Sequence, residues 1–288
     1  MSWLTDRGNI GTRTWCMAGV LMTVLVGCSN MSSDIDDLRE SIMPPSPTEA
    51  AVMMIDPYDA ENRRNGTILI ANAPFGGAEP YVNLYADKVL HEDDPLALAA
   101  AIQALGRHGQ PEHAPSIASR LTHVSQQVRW EAAKGLQRLH NPQVVPALIA
   151  VIRNAREDVD VKIAAAHALG QYPEDRVFQT LVSVDALDAQ NLILNRTARE
   201  SLRTLTGQNF GEDRAAWLRW YNAAAEPFVD QQPYLFPIYK RSETVMEKLT
   251  FWSEPTWETP QQPAGLRPAG QRSTYDEGED GAAEDSGG

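Results

Sequence analysis

The chain has 288 residues, of which 43% are hydrophobic, and its formal net charge is −13 at pH 7. That length accommodates one or two ordinary domains with a hydrophobic core. The acidic balance disfavours a nucleic-acid partner, because phosphate binding depends on clustered lysine and arginine.

A short apolar run lies near the N-terminus, over residues 15–26 (WCMAGVLMTVLV), and Arg7 and Arg13 precede it. The run is shorter than the ~20 apolar residues that a membrane-spanning helix needs. Its length and its weakly positive flank are typical of the apolar region of a secretory signal peptide. We therefore predict a signal peptide over residues 1–27.

The four residues LVGC, which end at Cys28, resemble the lipobox of bacterial lipoproteins. The resemblance implies cleavage between Gly27 and Cys28, with acyl chains such as palmitate on the Cys28 thiol and on the new amino group. Ser29 in the next position resembles the sorting pattern of outer-membrane lipoproteins, which implies an anchor in the outer membrane facing the periplasm. The alternatives are an uncleaved signal anchor and a buried cysteine that happens to end an apolar run.

Cys16 and Cys28 are the two cysteines of the chain. By the lipobox resemblance Cys16 leaves with the signal peptide and the Cys28 thiol is lipidated, which excludes a disulfide and thiol-based chemistry in the mature chain. The segment that follows is polar and contains PPSP at residues 44–47. Such a composition favours a flexible tether, which we predict over residues 28–55.

An internal repeat organises the middle of the chain. Four similar segments begin at Asp94, Ser125, Asp158 and Asn191, spaced by 31, 33 and 33 residues. Residues of these types accept hydrogen bonds from the free N–H groups at a helix start, so each is a predicted N-cap. The same spacings separate four leucines, which predicts a buried apolar stripe: Leu105, Leu136, Leu169 and Leu202.

Each capped helix is predicted to end soon after its leucine and to be followed by a second helix. Gly106 and Gly170 directly follow two of the leucines and are suited to ending their helices. Apolar residues of the second helices come twelve positions after the leucines, at Ile117, Leu148 and Leu181. The array extends to an earlier unit and to a last one: residues 59–71 with 80–90, and residues 191–203 with 214–225.

Helix pairs with this period and a capped, alanine-rich first helix resemble HEAT repeats, in particular the HEAT-like repeats of phycobilisome lyases. The resemblance implies an all-α fold, an α-solenoid of four to five HEAT-like helix pairs over residues 56–225. A solenoid of this kind offers partners a surface lined by its second helices. The candidate partner-binding residues on that surface are His113, Ser116, Arg120, Arg153 and Gln179. The alternative is a non-repetitive helical bundle.

Enzymes also occur among proteins with HEAT repeats, so their residue patterns bear on function. A di-iron hydroxylase needs several adjacent histidine–glutamate pairs, but only His91 and Glu92 have that form here. A HEAT-like DNA glycosylase needs a basic groove, which the acidic charge disfavours. The sequence therefore predicts no catalytic residue, no metal and no cofactor. A bilin lyase or another enzyme subunit remains the alternative, on family resemblance alone.

Aromatic residues are concentrated at the C-terminal end of the repeats. Trp217, Trp220 and Tyr221 lie at helical spacing on the last predicted helix. We predict that they form an aromatic cap over the open apolar end of the solenoid, and a binding hot spot is the alternative. The aromatic extension that follows, residues 226–258, is predicted to pack back on the last repeats, with an exposed docking segment as the alternative.

The final segment, residues 259–288, has little apolar bulk, and its residues 271–288 carry six acidic residues against one basic residue. This composition predicts a disordered tail, since it buries too little surface to offset the entropy of ordering, with an acidic interaction tail as the alternative. Taken together, the sequence predicts a membrane-anchored envelope lipoprotein that scaffolds protein–protein interactions and is not an enzyme. Its expected partners are envelope proteins and the membrane, without nucleic acid or metal.

Overall fold

The computed structural model describes residues 45–187, 190–237 and 260–266. The chain divides into two units, Met1–Glu49 and Ala50–Gly288, and only residues 45–49 of the first are described. The predicted signal peptide, Cys28 and residues 267–288 of the predicted acidic tail lie outside the described residues.

The described residues form eleven α-helices and three short 3-10 helices, and no β-strand. The α-helices are α1 (Pro47–Met54), α2 (Ala60–Asn72), α3 (Glu79–His91), α4 (Pro95–His108), α5 (Ala114–Ala118), α6 (Gln126–Gly135), α7 (Val145–Arg153), α8 (Val159–Leu169), α9 (Asp175–Leu181), α10 (Leu192–Thr206) and α11 (Arg214–Ala223). The 3-10 helices are Pro111–His113, Ser119–Thr122 and Pro142–Val144. The predicted all-α class is confirmed.

The helices alternate between two rows, and each second helix packs chiefly on the first helix of the following repeat. The first helices α2, α4, α6, α8 and α10 each pack on the next, and the second helices α3, α5, α7 and α9 pack against them. The predicted apolar positions of both rows are fully buried: Leu105, Leu136, Leu169, Leu202, Ile117, Leu148 and Leu181. Each repeat thus buries its stripe against its neighbours, as in an α-solenoid. The predicted solenoid of helix pairs is confirmed.

Most of the predicted caps start their helices. Oδ1 of Asp94 accepts hydrogen bonds from the N–H groups two and three residues ahead, both at 2.9 Å. Asp158 and Asn191 accept equivalent bonds at 2.9 and 3.0 Å. Ser125 occupies the N-cap position of α6, but its side chain makes no cap hydrogen bond. Its backbone N–H instead donates to Nδ1 of His123 at 3.1 Å, so the prediction holds for the position and is wrong for the side chain.

Gly106 does not end its helix, contrary to the prediction. The helix α4 continues to His108, and Gly109 follows it. A Cβ on Gly106 would lie 2.7 Å from the Cα of Gly135, so the absent side chain allows α4 and α6 to cross in close contact. Gly170 does follow the last residue of α8 as predicted.

The flexible tether predicted to extend to residue 55 overlaps an ordered helix. The helix α1 occupies Pro47–Met54, and Met54 at its end is fully buried. Ser46 and Glu49 cap its start reciprocally, because the N–H of Ser46 donates to Glu49 Oε2 at 2.6 Å and the N–H of Glu49 donates to Ser46 Oγ at 3.3 Å. The tether prediction therefore fails for the residues of α1.

The predicted aromatic cap closes the last repeat. Trp217 is fully buried on α11, and its Nε1–H donates to the carbonyl oxygen of Gly211 at 3.0 Å. The ring of Phe210 meets Trp217 edge-on at 5.0 Å, and Tyr221 stacks on Phe178 with their ring centroids 4.0 Å apart. Such contacts cover the apolar end of a helical array, and the cap prediction is confirmed.

Two C-terminal segments pack on the repeats, one of which the sequence analysis placed in the disordered tail. In residues 231–237 the N–H of Gln232 donates to the carbonyl oxygen of Thr204 on α10 at 2.7 Å. The N–H of Phe236 donates to the carbonyl oxygen of Gln261 at 3.1 Å, which joins this segment to residues 260–266. Residues 231–237 of the aromatic extension thus contact α10, its residues 238–258 lie outside the described residues, and the prediction of disorder is wrong for residues 260–266.

Candidate functional site

The five predicted partner-binding residues lie on the second helices or on the 3-10 turns beside them, but they differ in exposure. Arg153 at the end of α7 and Gln179 on α9 are exposed. His113, Ser116 and Arg120 are half-buried on the segment around α5. The predicted set is therefore not one uniformly open surface.

Arg120 serves a structural contact that the sequence analysis did not foresee. Its Nε–H donates to the carbonyl oxygen of Val89 at 2.7 Å, and its Nη2–H donates to that of Leu90 at 2.9 Å. Both carbonyls belong to the last turn of α3, where a helix leaves its carbonyl groups without partners in the helix. The guanidinium thus caps the preceding repeat, and the assignment of Arg120 to partner binding stays a prediction.

His113 is likewise used locally. Its Nδ1 accepts a hydrogen bond from the N–H of Gln110 at 3.0 Å, which closes the 3-10 turn before α5. Arg153, by contrast, reaches across to the next repeat, where its Nη2 lies 3.4 Å from Thr180 Oγ1. Because Thr180 adjoins Gln179 on α9, the structure brings these two exposed predicted residues, Arg153 and Gln179, onto neighbouring helices.

A cleft of about 530 Å³ opens at the C-terminal ends of α4 and α6, where the C-terminal segments lie against the repeats. Its described lining combines the last turn of α4, the turn after α6 and the two C-terminal segments: Gly106, Arg107, His108, Gly109, Arg138, Leu139, Phe236, Gln261, Gln262 and Ala264. The sequence predicts no site here, because residues 139 and 264 meet only in the folded chain.

Backbone hydrogen bonds fix the wall that the C-terminal segment supplies. The N–H of Ala264 donates to the carbonyl oxygen of Arg138, and the N–H of His140 donates to that of Ala264, both at 2.8 Å. They form an isolated parallel bridge between Leu139 and Ala264. Gly265 then turns away with φ of +85°, and a Cβ there would lie 2.4 Å from Pro111 Cγ. Only glycine combines this φ with so close an approach.

The side chains of the cleft give it a basic and partly aromatic lining. Nη1 of Arg107 donates to Oδ1 of Asn72 at 2.7 Å, which directs this guanidinium at the end of α4. The guanidinium of Arg138 lies over the Phe236 ring, 4.7 Å from its centroid, in a cation–π contact. No acidic residue is among the described residues of the lining.

Two repeats also contain an equivalent ion pair that the sequence analysis missed. Arg63 meets Glu92 through Nε–Oε2 and Nη2–Oε1 contacts of 2.8 and 2.7 Å, and Arg129 Nε meets Glu157 Oε1 at 2.9 Å. Both glutamate side chains are only 5–6% exposed. The sequence does contain a positional pattern for these pairs. Each arginine lies four residues after an N-cap residue, and each glutamate lies one or two residues before the next N-cap residue.

None of the helices described is both long and apolar enough to cross a membrane. Across residues 45–187, 190–237 and 260–266, no three histidine, cysteine, aspartate or glutamate side chains are grouped so as to hold a metal ion.

Part of the repeat region is similar to a known family. Residues 114–203 match the family described as HEAT repeats. Among solved structures, the complex of CpcE and CpcF of phycocyanin lyase from Nostoc sp. PCC7120 is similar, with 19% sequence identity and a TM-score of 0.38. The similarity covers 56% of this chain and 77% of that chain. No curated protein matches the sequence.

Proposed function

Because residues 114–203 match the family of HEAT repeats, we propose that the chain is a protein-interaction scaffold that a lipid on Cys28 anchors in the bacterial envelope. The observation that carries the scaffold is the exposed surface of the second helices, on which Arg153 and Gln179 lie on neighbouring helices. Stacked repeats present such surfaces to extended partners.

The anchor rests on the LVGC motif and on the apolar run before it. No arrangement of the described residues favours a lyase or another enzyme subunit, so we do not propose one.

The anchor is tested by the substitution Cys28→Ala. Acyl chains contribute about 0.8 kcal/mol per buried CH₂, and two or three of them bind a membrane stably. We expect the Cys28→Ala chain to lack acyl groups and to lose its stable partition into membranes, as measured by intact mass and by fractionation. Cys16→Ala is the matched control and should keep both properties. A Cys28→Ala chain with unchanged lipid mass and unchanged membrane partition would show that the anchor is wrongly assigned.

The scaffold surface is tested by Arg153→Glu combined with Gln179→Glu. The two substitutions remove one positive charge from this surface and add two negative charges. We expect this change to reduce capture of the partner about tenfold. The measurement is quantitative crosslinked capture from the native envelope with the whole chain. Arg156→Glu, at another exposed arginine just beyond α7, is the control for added negative charge. If the unaltered chain, the double variant and the Arg156→Glu control capture the same envelope protein in equal amounts, this surface is not the partner-binding surface.

A further inference from the structure

We infer that the slot between two successive turns of the repeats, at Pro111 and at residues 138–141, is a recognition site for a Pro-Ala-Gly peptide of a protein partner. The chain's own residues 263–265 fill this slot, and the partner peptide binds by displacing them. The inference rests on the proposed scaffold function and names the chemistry of one partner segment. It uses a surface separate from that of Arg153 and Gln179.

The first reason is that bonds outside the bound segment shape the slot. Nδ2 of Asn141 donates to the carbonyl oxygen of Pro111 at 3.0 Å, which ties the two turns to each other. The N–H of Asn141 donates to the Tyr172 hydroxyl at 3.2 Å, and its Oδ1 accepts from the N–H of Gln143 at 3.0 Å. A site that is already shaped loses less entropy when a ligand binds, so a peptide of another protein can use it as the chain's own segment does.

The second reason is that the segment binds through its backbone, as do peptides that pair with an exposed strand edge. The N–H of Ala264 donates to the carbonyl oxygen of Arg138, and the carbonyl oxygen of Ala264 accepts from the N–H of His140, both at 2.8 Å. When the segment leaves, these two backbone groups of the slot lose their partners, which costs free energy. A second peptide of the same conformation restores both bonds.

The third reason is that the slot selects the sequence of its ligand. Gly265 has φ of +85°, and a Cβ there would lie 2.4 Å from Pro111 Cγ, so only glycine fits this position. The N–H of Leu266 donates to the carbonyl oxygen of Pro263 at 3.2 Å and closes a turn in which glycine takes the positive φ, as in a type II turn. Pro263 is buried and has no N–H that needs a partner. The small side chain of Ala264 packs half-buried against the hydrophobic core.

The fourth reason is that little of the segment is buried. Of residues 260–266 only Pro263 is buried, whereas residues 260–262 are exposed and residues 264–266 are half-buried. A segment that buries so little apolar surface opens at a low cost in free energy, without unfolding of the repeats. The helices α4 and α6 beneath it are held by their own buried apolar residues. A partner peptide therefore competes with local opening and not with unfolding of the whole fold.

The test uses the purified full chain and a fluorescein-labelled peptide with the sequence of residues 260–267, PQQPAGLR, with binding followed by fluorescence anisotropy. The same tripeptide recurs at residues 268–270, so the releasing variant is Gly265→Val combined with Gly270→Val. An attached segment lowers the apparent affinity for a free peptide by the fraction of time for which it fills the slot. We expect the double variant to bind the peptide about tenfold or more tightly than the unaltered chain does.

Gly270→Val alone is the matched control, and it should bind the peptide like the unaltered chain because residues 263–265 are intact. The Gly265→Val form of the labelled peptide should bind none of the three chains, since the slot has no space for its Cβ. The inference is overturned by equal binding to the unaltered chain and to a folded double variant. Binding of the valine-containing peptide, or tight binding by the Gly270→Val control, would overturn it as well.

Hydrogen exchange of the unaltered chain keeps the test decisive if circular dichroism shows that the double variant is misfolded. Unlabelled peptide in excess should speed exchange of the Ala264 N–H, which the displaced segment carries. The His140 N–H should stay protected, because the alanine carbonyl of the incoming peptide then accepts its hydrogen bond. Unchanged exchange at Ala264, or faster exchange at both positions, would contradict displacement. None of these results depends on envelope capture or on lipidation, so the two proposals fail separately.

Discussion

Gly106→Ala is expected to destabilise the fold by about 2–4 kcal/mol, a large effect for the addition of one methyl group. The new Cβ would lie 2.7 Å from the Cα of Gly135 and 3.5 Å from its carbonyl oxygen. These are backbone atoms, so no rotamer change relieves the clash, and α4 and α6 must move apart. Because the two helices belong to consecutive repeats, the shift disturbs the buried stripe on both sides. The measurement is urea or thermal unfolding of the full chain followed by circular dichroism.

Gly135→Ala is the matched control, since it adds the same methyl group at the same helix crossing. The atoms nearest to its Cβ would be side-chain methyl groups of Ile117 and Ile102, at 3.5 and 3.7 Å, which is ordinary van der Waals contact. Alanine also has the higher helix propensity, but Gly135 is the last residue of α6, so the gain is smaller than the ~1 kcal/mol of a helix interior. We expect Gly135→Ala to change stability by less than ~1 kcal/mol in either direction. Equal destabilisation by both substitutions would contradict the proposed close crossing at Gly106.

The sequence predicted those features of the fold that depend on local chemistry and on the period of the repeat. Asp94 and Asn191 cap their helices through N–H groups two and three residues away. The repeat leucines are buried because their 31- to 33-residue spacing places each on the same face of successive first helices. Both features need only local chemistry and a regular period, and a single sequence displays both.

The features that the sequence did not predict depend on contacts between distant residues. Gly106 looked like a helix end, but its role is set by Gly135 in the next repeat. Arg120 looked like a free surface cation, but the carbonyl groups of α3 hold it. The basic cleft exists because Ala264 bridges to the turn after α6, more than a hundred residues earlier in the chain. The low apolar content of residues 259–288 gave no sign of that pairing, because backbone atoms make it and not side chains.

The buried ion pair of Arg63 and Glu92 leads to the second large effect. Glu92→Gln is expected to destabilise the fold by about 2–4 kcal/mol at pH 7, because it leaves the charges of Arg63 and Lys88 buried without their partner. The Lys88 amino group lies 3.6 Å from Glu92 Oε2 and its side chain is 8% exposed, and burial lowers the pKa of Lys88. Glutamine keeps the shape of the side chain, so the loss measures charge more than packing.

The effect should disappear in acid, and its direction follows from the pKa of Glu92. Burial alone would raise that pKa, but the hydrogen bonds from Arg63 and from the N–H of Asp94, with the charges of Arg63 and Lys88, outweigh burial and lower it below 4.5. A lowered carboxylate pKa stabilises the fold above the unfolded-state pKa, and this contribution is lost as the pH falls through the folded-state pKa. Unfolding free energies of the two chains should therefore begin to converge as the pH falls below the unfolded-state pKa of glutamate, about 4.3, and should meet only below the lower folded-state pKa. Glu61→Gln is the control: its exposed pair with Arg64, at 2.8 Å, should contribute less than ~1 kcal/mol at any pH. A pH-independent difference for Glu92→Gln would mean that side-chain packing, and not the buried charge, stabilises this contact between repeats.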